Sequence, residues 1–211
     1  VLDTSLGGSA LPQLETPQLE TVRARLLADQ IVPLPTQPQR LTIPALDVDA
    51  PIEAVGRGQD ATGQDNTMAL PSHWDTTAWY APGTRPGQLG NAVIAGHFNT
   101  PRDRPAVFWD LAQLIPGDEI HVHDSDGTLH IFVVDRVEEY PFDAAPIAEI
   151  FGFTPHARQL NLITCAGEWN RTVGNYTKRL VVETTLQESI PPSPGLMHNP
   201  PAAASLRSAE N

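Results

Sequence analysis

The sequence contains few of the residues that would build a disulfide framework, a thiolate metal centre or a nucleic-acid surface. Cys165 is the single cysteine among 211 residues, which excludes an internal disulfide and a multi-thiolate metal site. The chain has 13 basic and 25 acidic residues, a formal net charge of −12, so it lacks the basic footprint that a phosphate backbone requires. No apolar run reaches the length of a membrane-spanning helix. With 40% hydrophobic residues, the composition predicts a soluble globular domain that does not bind nucleic acid.

Proline is abundant, and its 21 residues cluster near both ends of the chain. Residues 1–39 predict an N-terminal helix, capped by Thr16, and then a stiff proline-rich linker on the stalk side. Residues 188–211 are rich in proline, alanine and serine and predict a flexible tail. The folded domain is therefore expected within residues 40–187. Because the chain begins at Val1 without a charged and then apolar leader, we expect any signal or membrane anchor to lie outside this sequence.

The central part of the chain alternates short strand-like runs with turn residues. The runs are rich in β-branched and apolar residues and read RLTIP, APIEAVG, NAVIAG, DEIHVHD, TLHIFVVDRVEEY, LNLITC and KRLVVETTL. Two further stretches, FWDLAQL and DAAPIAEIF, predict short helices between strands. Many short strands with few helices indicate a mainly β domain, either a closed or nearly closed barrel or a sandwich. Periodicity alone does not choose between these architectures.

Three chemically useful side chains stand at the ends of these apolar runs. Cys165 ends one run just before an Ala-Gly pair, His97 follows the glycine that ends another, and Arg179 begins a third. Each has an ordinary interpretation as well. A lone cysteine is more often a small buried apolar residue, a histidine after glycine often a satisfied turn residue, and an arginine at a strand edge usually solvent-facing.

The combination of thiol, imidazole and guanidinium is nevertheless suited to acyl transfer. A thiol with its ordinary pKa is mostly protonated at neutral pH, so a nucleophilic cysteine needs a base or a positive neighbour. A histidine can accept that proton and return one to the departing amine. Attack on an amide carbonyl creates an oxyanion, which a fixed arginine and a backbone N–H stabilise.

Several blocks of the chain, taken in order, resemble the sortase family. They read RLTIPALDVDAPIEAVG, MALPSHWDTTAWYAPGTRPGQLGNAVIAGHFNT, VFWDLAQLIPGDEIHV and LNLITCAG, the last followed by NYTKRLVVETTL. They are most similar to class F, or class E, sortases, and they cover nearly all of residues 40–187. The resemblance implies a closed eight-stranded β-barrel with short helices, which would be the catalytic domain. It implies cysteine transpeptidase activity without a metal or other cofactor.

Position by position, the resemblance implies that Cys165 is the nucleophile, His97 the general acid and base, and Arg179 the arginine at the start of the last core strand. Two features of this chain differ from many class F sequences. The first is at residues 164–167, where many class F sequences have TCGG and this chain has TCAG. Many also carry asparagine at the position of Arg179 and an arginine where Arg171 stands. Arg171 is therefore the rival oxyanion residue. We favour Arg179 because a strand fixes a side chain better than a loop does.

Three residues beside the nucleophile are expected to form the substrate-binding part of the site. Thr164 alternates away from Cys165 along the strand and is predicted to support the site rather than react. The amide of Ala166 is a candidate second oxyanion donor. Trp169, in the segment after the nucleophile, is a candidate cover for the substrate groove, although a packing role is equally compatible with its position.

The resemblance implies a reaction on an LPXTG-like sorting signal of a secreted protein. The bond between Thr and Gly would be cleaved through a thioester on Cys165, and an amine of a peptidoglycan precursor or a pilin lysine would accept the acyl group. The expected location is the outer face of a bacterial cell membrane. A hydrolysing endopeptidase and an inactive binding module on the same barrel remain alternatives. An L,D-transpeptidase is disfavoured because the sequence has no SHGC-like block.

A group of histidines occurs in EIHVHDSDGTLHIF, which predicts a hairpin with a type I′ turn at residues 126–127. That register would place His123 opposite His130, with His121 on the same face. Three imidazoles on one face can hold a metal, but a solvated outer face is the favoured interpretation, and a longer loop would separate the pair. The sequence suggests no partner for the other histidines, which are His73, His156 and His198.

Overall fold

The computed structural model describes residues 36–59 and 67–193 of the chain. The predicted N-terminal helix, the first part of the proline-rich linker and most of the predicted tail, including His198, lie outside the described residues. Within the described residues there are ten strands, namely β1 (Pro38–Ile43), β2 (Val48–Val55), β3 (Arg57–Gly58), β4 (Thr67–Met68), β5 (Thr77–Tyr80), β6 (Gly90–Gly96), β7 (Glu119–Asp124), β8 (Leu129–Pro141), β9 (Arg158–Asn170) and β10 (Asn175–Ile190).

Eight of these strands close into a barrel, in the order β1-β2-β5-β6-β9-β10-β8-β7, which confirms the closed barrel and excludes the sandwich. Most neighbours are antiparallel, but β2 pairs with β5, and β6 with β9, in parallel. The two remaining strands, β3 and β4, form a small separate sheet. The barrel extends slightly beyond residues 40–187, because β1 begins at Pro38 and β10 ends at Ile190.

All seven predicted strand segments form barrel strands, and the sequence pattern missed only β5 among the eight. The sequence of β5, TAWY, is short and lies among turn-forming residues, so its pattern did not indicate a strand. The two predicted helical stretches each contain one short helix, a 3₁₀ helix at Leu111–Gln113 and an α-helix, α1, at Ile147–Ile150. No helix within residues 36–59 and 67–193 is long and apolar enough to cross a bilayer.

The barrel encloses one large apolar core, and a smaller apolar cluster covers its outer face beside β6, β9 and β10. The outer cluster has Val93, Ile150 and Val181 fully buried at its centre, with Ile163 packed against them. These strands are therefore covered on both faces, which explains why β6 reads as a continuous apolar run in which every residue is buried. A buried aliphatic side chain contributes roughly 1.5–3 kcal/mol relative to exposure, so both clusters stabilise this part of the barrel.

The hairpin between β7 and β8 has a longer turn than its sequence suggested. The Asp124 amide donates to the Thr128 carbonyl at 2.8 Å, so the loop has three residues, and its last residue, Gly127, has a φ of +86°. His130 is consequently paired with Val122 and not with His123. Because a shift of one residue turns a side chain to the other face of a strand, His130 points into the barrel. The prediction of facing histidines was wrong.

Candidate active site

Two of the candidate catalytic residues lie on neighbouring strands of the barrel, β9 and β10, and the third, His97, directly follows the neighbouring strand β6. Arg179 on β10 is the direct cross-strand partner of Cys165 on β9. On the other side of β9, the parallel pairing with β6 ends at Ala95 and Ile163, and both His97 and Cys165 lie two residues beyond that pair. Since side chains alternate along a strand, all three side chains belong to the outer face, at one end of the barrel.

Cys165 does not lie at the end of its strand, as its sequence had suggested. Strand β9 continues to Asn170, and β10 already begins at Asn175, so Arg179 is also inside its strand. The glycine after the nucleophile marks a bend within the hairpin: Gly167 has a φ of +76°, and an added Cβ would meet the Thr177 hydroxyl. The β9–β10 hairpin therefore projects past β6 and carries Cys165 with it.

The thiol of Cys165 is partly buried, and two features of its surroundings shift its pKa in opposite directions. Burial raises the pKa of Cys165 because a desolvated thiolate is unfavourable, whereas the positive charge of Arg179 lowers it. Burial is the larger effect. The thiol is thus protonated at neutral pH, and it needs a base close by to become a nucleophile.

His97 is oriented so that one ring nitrogen stays available. Its Nε2 lies 3.1 Å from the Pro71 carbonyl oxygen, and since a carbonyl only accepts, Nε2 carries a proton in this contact. The ring packs on Trp74, with centroids 4.5 Å apart and planes at 56°. Nδ1 has no hydrogen-bond partner among the described residues. It is the nitrogen that can take or give a proton.

The loop that holds His97 is itself anchored by Glu53, a residue that the sequence had not singled out. The Glu53 carboxylate accepts hydrogen bonds from the Ser72 amide at 3.0 Å, the Ser72 hydroxyl at 2.9 Å and the Thr76 hydroxyl at 2.6 Å. The pKa of Glu53 is lowered, chiefly by the Thr76 hydroxyl. The anchored loop contains Pro71 and Trp74, the two contacts of His97. No sequence pattern near Glu53, which lies on β2, indicates this role.

Arg179 and Arg171 have very different surroundings. The Arg179 guanidinium donates to the Lys178 carbonyl at 2.9 Å, to the Asn175 side-chain oxygen at 2.9 Å and to the Tyr176 carbonyl at 3.4 Å. Arg171 lies in the exposed turn that joins β9 to β10 and makes no hydrogen bond to any described residue. The structure thus brings Arg179, and not Arg171, opposite Cys165.

The three predicted substrate-binding residues are placed differently from one another. Thr164 is buried, and its hydroxyl donates to the Gly96 carbonyl at 2.9 Å, so it ties the residue before Cys165 to the residue before His97. Its side chain therefore lies on the inner face of the barrel and not beside the thiol of Cys165. Ala166 has a buried side chain and offers only its backbone. Trp169 is 53% exposed and packs edge-to-face on Tyr176, with ring centroids 5.3 Å apart.

Comparison with known proteins identifies the family and the fold. The sequence profile of the sortase domain matches residues 41–187. No curated protein sequence matches the chain. Similar solved structures include sortase A from Corynebacterium diphtheriae, with 21% identity, a TM-score of 0.52, and coverage of 86% of this chain and 74% of that one. Sortase C-1 from Streptococcus pneumoniae has 22% identity and a TM-score of 0.51, covering 72% of this chain and 67% of that one. Sortase E1 from Streptomyces coelicolor, solved with a tripeptide in its active site, has 24% identity and a TM-score of 0.52, covering 74% and 91%.

Proposed function

Because this chain belongs to the sortase family, a family of cysteine transpeptidases, we propose that it cleaves an LPXTG-like sorting signal between Thr and Gly and transfers the acyl group to an amine. In this proposal Cys165 is the nucleophile, His97 the general acid and base, and Arg179 the oxyanion partner. The observation that carries the proposal is the position of these residues side by side, on β9, on β10 and just after β6, with Arg179 directly opposite Cys165.

The proposed reaction begins with transfer of the Cys165 proton to Nδ1 of His97. The thiolate attacks the threonine carbonyl, and the negative charge that develops on its oxygen is stabilised by the Arg179 guanidinium and a backbone amide near Ala166. The C–N bond to glycine breaks, and His97 returns the proton to the departing amine. The acyl group then remains bound to Cys165 as a thioester. An acceptor amine attacks this thioester, His97 takes the amine proton, and the thiol is released.

The outer apolar cluster supports binding of a peptide with an aliphatic residue before the cleavage site. Ile163 lies two residues before Cys165 on the same face of β9, and Val181 lies two residues after Arg179 on β10. Val181 is fully buried, so of these two only the partly exposed Ile163 offers an apolar surface beside the thiol, of the kind that the leucine and proline of an LPXTG-like signal would contact. Trp169, exposed near the end of the hairpin, is a candidate cover for the bound peptide.

The finer parts of the proposal rest on the sequence blocks. We assign the chain to class F, or class E, from the LITC block and the order of the other motifs, while the similar structures include types A, C and E. The proposed acceptor is an amine of a peptidoglycan precursor or a pilin lysine. Sortases are in general enzymes of the bacterial cell surface, and the outer face of the membrane is the proposed location.

The test is cleavage of a fluorogenic LPXTG-type peptide by the wild-type chain and by two variants, Cys165→Ala and Cys165→Ser. We expect both variants to lose about 10³-fold or more of the turnover while their thermal unfolding stays unchanged, because only the attacking sulfur is lost. Hydroxylamine or oligoglycine should change the wild-type product from the acid to the corresponding hydroxamate or peptide.

Three outcomes would contradict the proposal. Turnover that survives in Cys165→Ala would exclude the nucleophile. A product that stays the free acid at every amine concentration would indicate a hydrolysing endopeptidase. Absence of turnover over a panel of related motifs, together with a thiol that iodoacetamide does not modify, would indicate a barrel used for binding.

A further inference from the structure

The position of His97 relative to Cys165 is not set by backbone pairing alone. Strand β9 pairs with β6 only as far as Ile163, whereas Cys165 lies two residues further along. Beyond Ile163, β9 is paired only with β10 among the described residues, and β10 is itself paired with β8 as far as Lys178. The buried hydroxyl of Thr164 provides one link between the two segments, on the inner face of the barrel. A second link, beyond the end of the pairing between β6 and β9, is needed to fix the angle between the hairpin and the His97 segment.

We propose that Tyr176 is this second link, a positioning residue that holds the segment carrying His97 against the hairpin carrying Cys165 and Arg179. This inference rests on the proposed transpeptidase function. Tyr176 contacts the two residues that immediately follow His97. Its hydroxyl accepts a hydrogen bond from the Asn99 side-chain nitrogen at 2.6 Å, and its ring packs edge-to-face on Phe98, with centroids 5.7 Å apart.

The segment after His97 is held together by hydrogen bonds, so its position and the position of the histidine are coupled. The Ala106 amide donates to the Phe98 carbonyl at 3.1 Å, and the Thr100 amide donates to the Arg104 carbonyl at 2.9 Å. The Asn99 nitrogen also donates to the Asp103 carboxylate at 2.8 Å, so both of its hydrogens are used. A displacement at Asn99 is therefore passed on to the histidine two residues earlier.

Tyr176 is connected to the other two site residues as well. Its carbonyl accepts from the Arg179 guanidinium at 3.4 Å, and its ring packs on Trp169, its cross-strand partner on the Cys165 strand. One residue thus touches the arginine, the cysteine-bearing strand and the histidine-bearing segment. Aromatic rings favour edge-to-face contact, so the pairs with Phe98 and Trp169 favour one relative orientation of the two segments.

The test compares Tyr176→Leu, which removes the ring contacts, with Tyr176→Phe, which removes only the hydroxyl. The control is Phe153→Leu, a 69% exposed aromatic that lies beside Gly90, at the opposite end of β6 from His97. The measurements are kcat and KM for the peptide, and the rate of iodoacetamide alkylation against pH, which reports on Cys165 alone because it is the only thiol.

We expect Tyr176→Leu to lower kcat by roughly 10- to 100-fold with KM changed by less than about twofold, because misalignment affects the chemical step more than binding. The alkylation midpoint should move to higher pH, since a thiolate farther from its positive partners is less stable. Tyr176→Phe should show a smaller change in the same direction, and Phe153→Leu no change. An unaltered kcat and alkylation midpoint in Tyr176→Leu would overturn the proposal.

A double-mutant cycle between Tyr176→Phe and Asn99→Ala keeps the proposal testable if the leucine variant does not fold. If Asn99 acts through the tyrosine hydroxyl, the double variant should lose no more kcat than the more affected of the two single variants. Fully additive losses would contradict the link. If the wild type shows no Cys165-dependent turnover, the proposed function fails, whereas the alkylation midpoints measured without substrate still decide whether Tyr176 positions the site.

Discussion

Two histidines of this barrel, His97 and His130, both follow or lie within apolar strands, yet their surroundings prepare them for different tasks. His130 is 8% exposed, with Nδ1 2.8 Å from the Ser189 hydroxyl and Nε2 3.3 Å from the Asp124 carboxylate. Both of its ring nitrogens are therefore occupied. His97 has one nitrogen bonded to the Pro71 carbonyl and the other without a partner among the described residues.

The difference shows which kind of histidine can do chemistry. The contacts of His130 join three barrel strands, because Asp124 ends β7, His130 lies on β8 and Ser189 lies on β10. Such a network stabilises the barrel end and leaves neither ring nitrogen of His130 available to a substrate. At His97 the single carbonyl contact orients the ring without using the nitrogen that a substrate would need. An oriented but incompletely bonded imidazole is suited to general acid–base catalysis.

The largest effect is expected from exchanging each histidine for glutamine. His97→Gln should lower turnover by about 10³-fold or more with little change in the melting temperature, because a proton acceptor is lost and no buried partner is stranded. His130→Gln should retain turnover at low temperature. It should, however, lose about 1–3 kcal/mol of unfolding free energy, because the buried Asp124 carboxylate is left with a poorer partner.

Peptide turnover and thermal unfolding, measured on both variants, check this prediction. The comparison fails if His130→Gln loses as much turnover at 25 °C as His97→Gln does. It also fails if His97→Gln is the variant with the lower melting temperature, since that would make His97 a structural residue.

A smaller effect is expected at the two arginines. Arg179→Ala should lower kcat by about 10²-fold, as for loss of one oxyanion donor, whereas Arg171→Ala, in the exposed turn, should change it by less than about twofold. The positive charge of Arg179 lowers the pKa of Cys165 against the larger effect of burial. Its removal should therefore raise that pKa further and move the alkylation midpoint of the thiol to higher pH.

Steady-state kinetics and the pH dependence of alkylation test the arginine assignment together. Equal losses of kcat in the two variants would contradict it, and so would an alkylation midpoint that moves only in Arg171→Ala. A loss of kcat and a shift of the midpoint confined to Arg171→Ala would make Arg171 the oxyanion residue, although it makes no hydrogen bond to a described residue.

Much of the fold was predictable because a strand with a buried face has apolar residues at its buried positions, and this pattern is visible in the sequence. The runs NAVIAG and LNLITC predicted β6 and the first part of β9, and the ordered blocks around them predicted the closed barrel. Strand β5 was missed because four residues among turn formers give too short a pattern. The end of β9 was misplaced because its last residues are exposed and polar, and only pairing with β10 keeps them extended.

The supporting residues of the site were not predictable, since their roles depend on contacts between distant segments. Tyr176 reaches Asn99, 77 positions away, and Thr76 reaches Glu53, 23 positions away. Neither pair leaves a local pattern. His130 was assigned to the wrong face because one extra loop residue reverses every side chain that follows it.

The smallest effect is expected at Glu53, which holds the loop under His97. Its pKa is lowered, chiefly by the Thr76 hydroxyl, so the ionised carboxylate stabilises the folded loop above the ordinary carboxyl pKa of about 4.3. This contribution is lost as the pH falls through the lower pKa of the folded state.

Glu53→Gln should reduce kcat by about threefold at pH 7, since a looser loop orients the imidazole less well. It should also lower the melting temperature at pH 7, and this difference should shrink as the pH falls through the lowered pKa of the folded state, because the wild-type carboxyl is then protonated too. Glu188→Gln, at an exposed acid on β10 whose side chain makes no hydrogen bond to any described residue, is the matched control and should change neither quantity. If the difference in melting temperature between wild type and Glu53→Gln stays constant as the pH is lowered, the charge of Glu53 does not anchor the loop, and the orientation of His97 depends on Trp74 and Pro71 alone.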